Sequence, residues 1–325
     1  MKALHMTRPR CFVPVEVPKP TVQGGAAGRL LVRQKWALVC GSDIPRFAGT
    51  ERSLTYPLAP GRSMHECVGE VIESTSELIS LGDTVVAIPE NYRGLAEFFT
   101  APERESTPLP LEIATCDAST LIQPLATVMY GADKLGDVQN RSVAVVGLGP
   151  IGLMFCWLLA HRGASEVIGI DPIEWRCNFA RRMGATQTYA RRSLELIHTL
   201  RQCPGDWQAP DICVEAVGHQ TVTINDCLDL VRHGGTVLAF GVADDAVYPF
   251  EYDLFYRKNL HLLSAVGADW SRYLPAACDL FRRHKEELSP LVTHRLPMQE
   301  AAKGYALYES RQPGVIKVLL DATDW

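Results

Sequence analysis

The chain has no Cys-x-x-Cys pair among its ten cysteines, no block of lysine and arginine, and no apolar run long enough to cross a membrane. Each absence removes a class. Ten cysteines scattered singly over 325 residues do not make a disulfide-stapled secreted domain, and the reduced thiols of a cytoplasmic protein are the simpler account. Cys156, Cys213 and Cys227 lie in apolar stretches and read as small core residues. A net charge of -5 without a basic cluster offers nothing to nucleic acid or an anionic membrane. Glycine, proline or charge interrupts every apolar run before the roughly 20 residues a membrane helix needs. Met1-Lys2-Ala3-Leu4-His5 lacks the apolar core of a signal peptide, so export is not expected. No internal repeat or low-complexity tract occurs.

What is there fits an ordinary globular protein, 47% hydrophobic and 21% charged, with length for two domains. Residues 1–100 read as short strands broken by proline and glycine: Leu30–Val39, Cys67–Glu73, Thr84–Ile88 and Leu95–Thr100. That spacing predicts a barrel-like all-β unit. Ala118–Leu135 lacks strand punctuation apart from Pro124 and reads as a helix. From Arg141 onward strands and helices alternate, which predicts a parallel sheet with helices on both faces. The strands are Val143–Val146, Val167–Ile170, Asp211–Gly218, Thr236–Gly241 and Leu260–Val266; the helices include Pro172–Met183 and Val222–Val231. Ligands of such a sheet lie at the carboxyl ends of its strands, beside Gly147, Asp171, Val217 and Val242. Past Gly267 the chain leaves the sheet. Leu274–His284 and Met298–Glu309 read as helices, and Gly314–Leu320 as a terminal strand able to rejoin the β-rich part.

The most informative stretch is Arg141–Asp171. A buried strand turns through Gly147-Leu148-Gly149-Pro150-Ile151-Gly152 into an apolar helix, and a second strand ends at Asp171, nineteen residues beyond Gly152. This is the dinucleotide-binding fingerprint in its required context. Gly147 permits the tight turn, Gly149 lets backbone approach a pyrophosphate resting on the amides of the helix start, and Gly152 lets helix and strand pack closely. A carboxylate at Asp171 accepts hydrogen bonds from ribose hydroxyls and repels a phosphate, which favours NAD over NADP. Arg176, five residues on, either lies against the adenine or neutralises a phosphate.

Cys40-Gly41-Ser42-Asp43 and His65-Glu66 lie in the β-rich unit, and with the nucleotide unit they carry a resemblance. The chain resembles the medium-chain dehydrogenase/reductase superfamily, zinc-dependent alcohol dehydrogenase-like, and within it the polyol and sugar branch of sorbitol, galactitol-phosphate and threonine dehydrogenases. The likeness covers nearly the whole chain. It implies an α/β plus β fold, with a doubly wound Rossmann sheet inserted in a GroES-like β-barrel catalytic domain. Residues 1–122 and 268–325 would form the catalytic domain and residues 123–267 the NAD-binding domain. It also implies a homodimer or homotetramer, for which apolar Leu260–Val266 could extend a sheet across an interface or simply be buried in one subunit.

For chemistry, the resemblance implies hydride transfer from a secondary alcohol to NAD, assisted by a catalytic zinc with three protein ligands and one open position. Cys40 and His65 match two ligands, and Glu66 matches the carboxylate that can be the third. Ser42 matches the hydroxyl that passes the alcohol proton toward solvent, and Asp43 the acid that orients the ligating imidazole. Two features depart from the family. Gln123 stands in Ile122-Gln123-Pro124-Leu125 where an acid or cysteine is usual, and a neutral amide is a poorer ligand for a dication. Arg62-Ser63-Met64 stands before His65 where glycine is usual, which implies a reshaped loop. The four-cysteine structural zinc lobe is absent, Asn91-Tyr92-Arg93-Gly94 passing directly into the next strand.

Other readings stay open on the residues alone. Cys40 could be a buried thiol, His65 a structural histidine and Glu66 a supporting acid. Arg46 and Arg62 read first as solvated surface and second as anchors for a phosphate or carboxylate. Lys317 reads either as a cofactor-phosphate contact or as a strand-end lysine in solvent. A zinc-free reductase of an enone, quinone or ketone, motivated by Gln123, and a catalytically inactive NAD-binding regulatory protein are the competing functions.

Overall fold

The computed structural model describes residues 1–325 except Arg52, Pro204 and Asp206. The backbone forms two compact units, one of Met1–Ala126 with Asp269–Trp325 and one of Thr127–Ala268. The division falls inside a helix, not at its start.

In the first unit the strands are β1 (Lys2–Arg8), β2 (Cys11–Glu16), β3 (Arg29–Leu38), β4 (Glu66–Ser74), β5 (Thr84–Ala87), β6 (Phe98–Pro102) and β7 (Ser106–Pro108). A short helix α1 (Ile44–Ala48) follows β3, opened by Pro45 near its start and closed by Gly49 in the left-handed conformation. Helix α2 (Ile122–Lys134) runs from the first unit into the second. The second unit continues as β8 (Ser142–Val146), α3 (Pro150–His161), β9 (Glu166–Ile170), α4 (Glu174–Arg182), β10 (Gln187–Tyr189), α5 (Ser193–Gln202), β11 (Ile212–Glu215), α6 (Thr223–Leu230), β12 (Thr236–Ala239), α7 (Tyr252–Arg257) and β13 (His261–Ser264). Then α8 (Trp270–Leu288), β14 (Val292–Pro297), α9 (Ala301–Ser310) and β15 (Lys317–Asp321) return to the first unit.

The long sheet of the first unit has the order β14-β15-β3-β4-β5-β7, with β6 also on β3. β15 does rejoin the β-rich part, lying antiparallel on β3. Alternating apolar residues of these strands (Leu30, Val32, Val71, Val85, Leu320) turn into one core with Phe47 and Tyr305. The second unit is a parallel sheet of order β10-β9-β8-β11-β12-β13, and the order reverses between β8 and β11. β8 lies at its middle, and its buried run Val143–Val146 is apolar on both faces, as a strand covered from both sides must be. Cys156, Cys213 and Cys227 are buried there. This is the Rossmann-type sheet inserted in a GroES-like unit that the resemblance implies. No described helix is long and apolar enough to cross a membrane.

Candidate functional site

Two strand ladders bring the first group of residues together. β3 and β4 are antiparallel with Leu38 opposite Glu66, so the chain leaving β3 at Cys40 passes the chain entering β4 at His65. β15 lies on the other side of β3 with Leu319 opposite Leu38, and the Val39 N–H donates to Val318 O at 3.0 Å. Lys317 therefore arrives beside Cys40 from the opposite direction. One ligand atom from each of Cys40, His65 and Glu66 lies within 4.8 Å of the others.

Around this trio the polar groups are arranged in layers. Ser42, on the turn after Cys40, donates its hydroxyl to Cys40 Sγ at 3.3 Å. Asp43 is fully buried and faces His65 Nδ1 at 3.5 Å through Oδ1, which also accepts the Ser63 hydroxyl. At that length the imidazole bond is not closed, and His65 Nδ1 and Asp43 Oδ2 are both sealed from solvent without a partner. Closing that bond would leave the other ring nitrogen for a metal. Burial by itself lowers the His65 pKa, but the Asp43 carboxylate and the Cys40 sulfur beside it hold it well above the ordinary value.

Lys317 is the correction. It is neither a solvent-exposed strand end nor a contact for cofactor phosphates. Its side chain is 1% exposed, and Nζ donates to both oxygens of Glu66, at 2.7 and 2.5 Å, and to Val39 O at 3.2 Å. Burial pulls its pKa down, and the Glu66 charge more than reverses that, holding the ammonium well above its usual range. Glu66 is thus a supporting acid by its present bonds, with lone pairs left over for a cation. Arg46 is also not a solvated surface residue. Its Nη1 donates to Ser42 O at 3.3 Å and to Ser63 Oγ at 3.4 Å, and stands 3.7 Å from Asp43 Oδ1, while Nε lies 3.1 Å from Glu51. Gln123 is buried in the first turn of α2.

Ser63 and Tyr305 were not legible as site residues. The Tyr305 hydroxyl, on α9, donates to Ser63 O, which pins the segment whose side chain bonds Asp43. Tyr92 is the third omission: its ring stands edge-on to His65, centroids 5.3 Å apart.

The second group lies at the carboxyl ends of β8, β9, β11 and β12. Gly147 has φ of +92°, and a Cβ there would meet the Val217 side chain at 2.7 Å. A Cβ on Gly152 would fall 1.8 Å from Gly147 O, so helix and turn close only with glycine. A Cβ on Gly149 meets nothing within 4 Å, so this face of the turn is open to a ligand. Pro150 and Ile151 follow at the start of α3, with Gly149 as the capping residue. Asp171 is buried, and its carboxylate accepts the Leu148 N–H and the Ile173 N–H, both at 2.9 Å, with Arg176 3.7 Å away. Glu215, overlooked in the sequence, accepts from Val217 and Gly218 N–H, the Thr223 hydroxyl and Gly241 N–H. That one carboxylate ties the loops carrying Val217 and Val242 together. A glutamate inside the apolar strand Ile212-Cys213-Val214-Glu215 was the available signal, since a buried carboxylate must be bonded.

A thiolate, an imidazole and a carboxylate are the donor types of a catalytic zinc, and the open glycine turn is the donor surface of a pyrophosphate site. The residues fit both groups.

Comparison with known proteins gives the same picture. A family model described as an alcohol dehydrogenase GroES-like domain matches residues 26–110, and one described as a zinc-binding dehydrogenase matches residues 150–283. L-threonine 3-dehydrogenase of Shewanella frigidimarina is 25% identical over 350 residues, covering 99% of each chain. D-arabinitol dehydrogenase 1 of Uromyces fabae is 24% identical over 349 residues, covering 96% of this chain and 95% of its own. The solved alcohol dehydrogenase TADH from Thermus sp. ATN1 superposes with a TM-score of 0.83 at 27% identity, covering 99% of this chain and 100% of its own.

Proposed function

We propose, on the premise that this chain belongs to the medium-chain dehydrogenase/reductase superfamily and is an alcohol dehydrogenase-type oxidoreductase, that it oxidises a secondary hydroxyl of a polyol, sugar derivative or similar polar alcohol. NAD would be the hydride acceptor, and Cys40, His65 and Glu66 would hold one zinc ion. The observation that carries this reading is the gathering of those three donor groups where β3, β4 and β15 converge. The relatives' names support the substrate class, since threonine and arabinitol each bear a secondary hydroxyl.

When bound, zinc supplies the Lewis acidity that makes the substrate hydroxyl a stronger acid, and nicotinamide supplies the hydride acceptor. The chain's own residues do the remainder. Asp43, 3.5 Å from His65 Nδ1, would orient the imidazole once that bond closes, and Ser63, held by Tyr305, fixes Asp43. Ser42 stands beside Cys40 and carries the alcohol proton onward. The Gly147 turn and the first amides of α3 receive the pyrophosphate, and Asp171 favours the unphosphorylated ribose of NAD.

The zinc-free reductase remains as a second reading because Lys317 engages both oxygens of Glu66 and Gln123 is neutral. Metal analysis of the purified protein, combined with an NAD-reduction screen of polyols and their phosphates, separates the two. We expect about one zinc per chain and loss of turnover on chelation; full NAD-linked turnover in zinc-free protein would rule the first reading out.

For assembly, the reading is a homodimer or homotetramer formed through the edge of β13. Among the described residues that strand ends the parallel sheet with one side unpaired and carries the exposed Leu262, and Tyr252, Tyr256 and Val266, close to it in sequence, are exposed as well. Light scattering should give a multiple of the 35.9 kDa chain mass, falling to the single-chain value in Leu262→Lys; an unchanged mass in that variant would move the interface elsewhere.

A further inference from the structure

We propose that Arg62 anchors an anionic group, a phosphate or a carboxylate, on the alcohol oxidised at this site. The inference rests on the dehydrogenase reading above and narrows its substrate class.

The other cations near the trio are committed. Lys317 is bonded to Glu66, and Arg46 is shared among Ser42, Asp43, Glu51 and Ser63. Arg62 has no such arrangement. It is half-buried, and its Nε, like that of Arg46, is sealed from solvent without a hydrogen bond; unlike Arg46, among the described residues it has no other side-chain hydrogen bond and no carboxylate within ion-pair distance. A sealed guanidinium N–H with nothing to bond is disfavoured in the free protein, and a ligand oxygen is the group that satisfies it.

Its position suits that role. Residues 61–64 run alongside residues 92–95, joined by Leu95 N–H to Gly61 O (2.8 Å), Met64 N–H to Tyr92 O (2.8 Å) and Gly94 N–H to Met64 O (3.1 Å). The first of these segments leads directly into His65, and the second places the Tyr92 ring against the His65 imidazole. Arg93, on the second segment, is exposed and has no acidic partner among the described residues. Glu90 and Glu97, the acids flanking that segment, are turned to Arg29 and to the Lys2 N–H. The two joined segments thus carry two guanidinium groups and no carboxylate next to a metal-ligand histidine. A guanidinium fork matches the oxygens of a phosphate or carboxylate and gives no comparable advantage to a neutral polyol.

The test is calorimetric titration of the full-length enzyme with inorganic phosphate and with acetate, NAD being saturating so that the glycine turn is not open to the probe. We expect at least one probe to bind saturably and to bind at least tenfold more weakly to Arg62→Gln, while Arg104→Gln, on an exposed turn, binds as the wild type does. Which probe binds separates a phosphate from a carboxylate. In turnover, Arg62→Gln should raise KM at least tenfold more for an anionic alcohol (a polyol phosphate or a hydroxy acid) than for a neutral polyol. Failure of both probes to bind the wild type, or equal affinity in Arg62→Gln, overturns the proposal. Arg62-dependent anion binding in an enzyme that oxidises no alcohol would keep the anion site and remove the reaction. Zinc-dependent turnover with probe binding indifferent to Arg62 would do the reverse.

Discussion

Cys40→Ala will lower kcat/KM for the alcohol by at least about a thousandfold and leave the purified protein without stoichiometric zinc. The magnitude follows from what the thiolate does. Of the three donors, Glu66 is already bonded at both oxygens by Lys317, and His65 brings no negative charge. Cys40 is therefore the one anionic donor not bound to a cation, and without it a dication faces a neutral imidazole and a neutralised carboxylate. The same variant should bind NAD within about twofold of the wild type, because the glycine turn and Asp171 belong to the other unit. Zinc content by elemental analysis and NAD affinity by fluorescence titration give the two readouts. Retained zinc with near-normal turnover would sink the assignment.

Lys317→Met carries the second large effect, this time on stability. It leaves the Glu66 carboxylate buried with its ammonium gone, which costs about 3–5 kcal/mol in comparable buried pairs. The loss should appear as faster amide exchange across β3 and β4, a better readout than one melting temperature for a chain of two units. Added zinc should restore part of the protection, since it supplies positive charge at the same carboxylate. Unaltered exchange would mean that the pair contributes little. The sign of its pH dependence follows from the raised lysine pKa. The contribution is complete below roughly pH 10, the value of an unfolded lysine, and is lost as pH rises through the higher folded value. No dependence on this pair is expected between about pH 6 and 9.

The parts of the fold that follow from local pattern were readable. The run Val143–Val146, the three glycines and the acid at Asp171 specify a strand, turn, helix and second strand by themselves, and each is where the pattern puts it. Boundaries differ where the apolar pattern runs past or stops short of the ladder: it spans Leu95–Thr100 where the strand is Phe98–Pro102, and Leu260–Val266 where the strand is His261–Ser264. The hairpin of β1 and β2 is not legible in the sequence because His5, Thr7, Pro14 and Glu16 dilute its alternation, nor is α5, which no apolar run announces. Within the site, Cys40, His65 and Glu66 stand in short motifs and were legible. Lys317 was not, since its partner lies 251 residues away and only the β15-β3-β4 ladders join them. Even so, a lysine inside Val315-Ile316-Lys317-Val318-Leu319-Leu320 could not be both in an apolar strand and in solvent. A charged residue in such a run, here as at Glu215, implies by its chemistry alone a buried partner of opposite character.

Asp171 holds the glycine turn by bonding Leu148 N–H with one oxygen while steadying the start of the next loop at Ile173 with the other. On the reading proposed above, nucleotide choice and the shape of the turn would reside in one side chain. A descendant drifting toward a different dinucleotide could not discard that acid in one step without loosening the cradle that every such nucleotide shares. Its evolutionary route would have to begin with substitutions that brace the turn from elsewhere, so specificity here is inherited along with architecture.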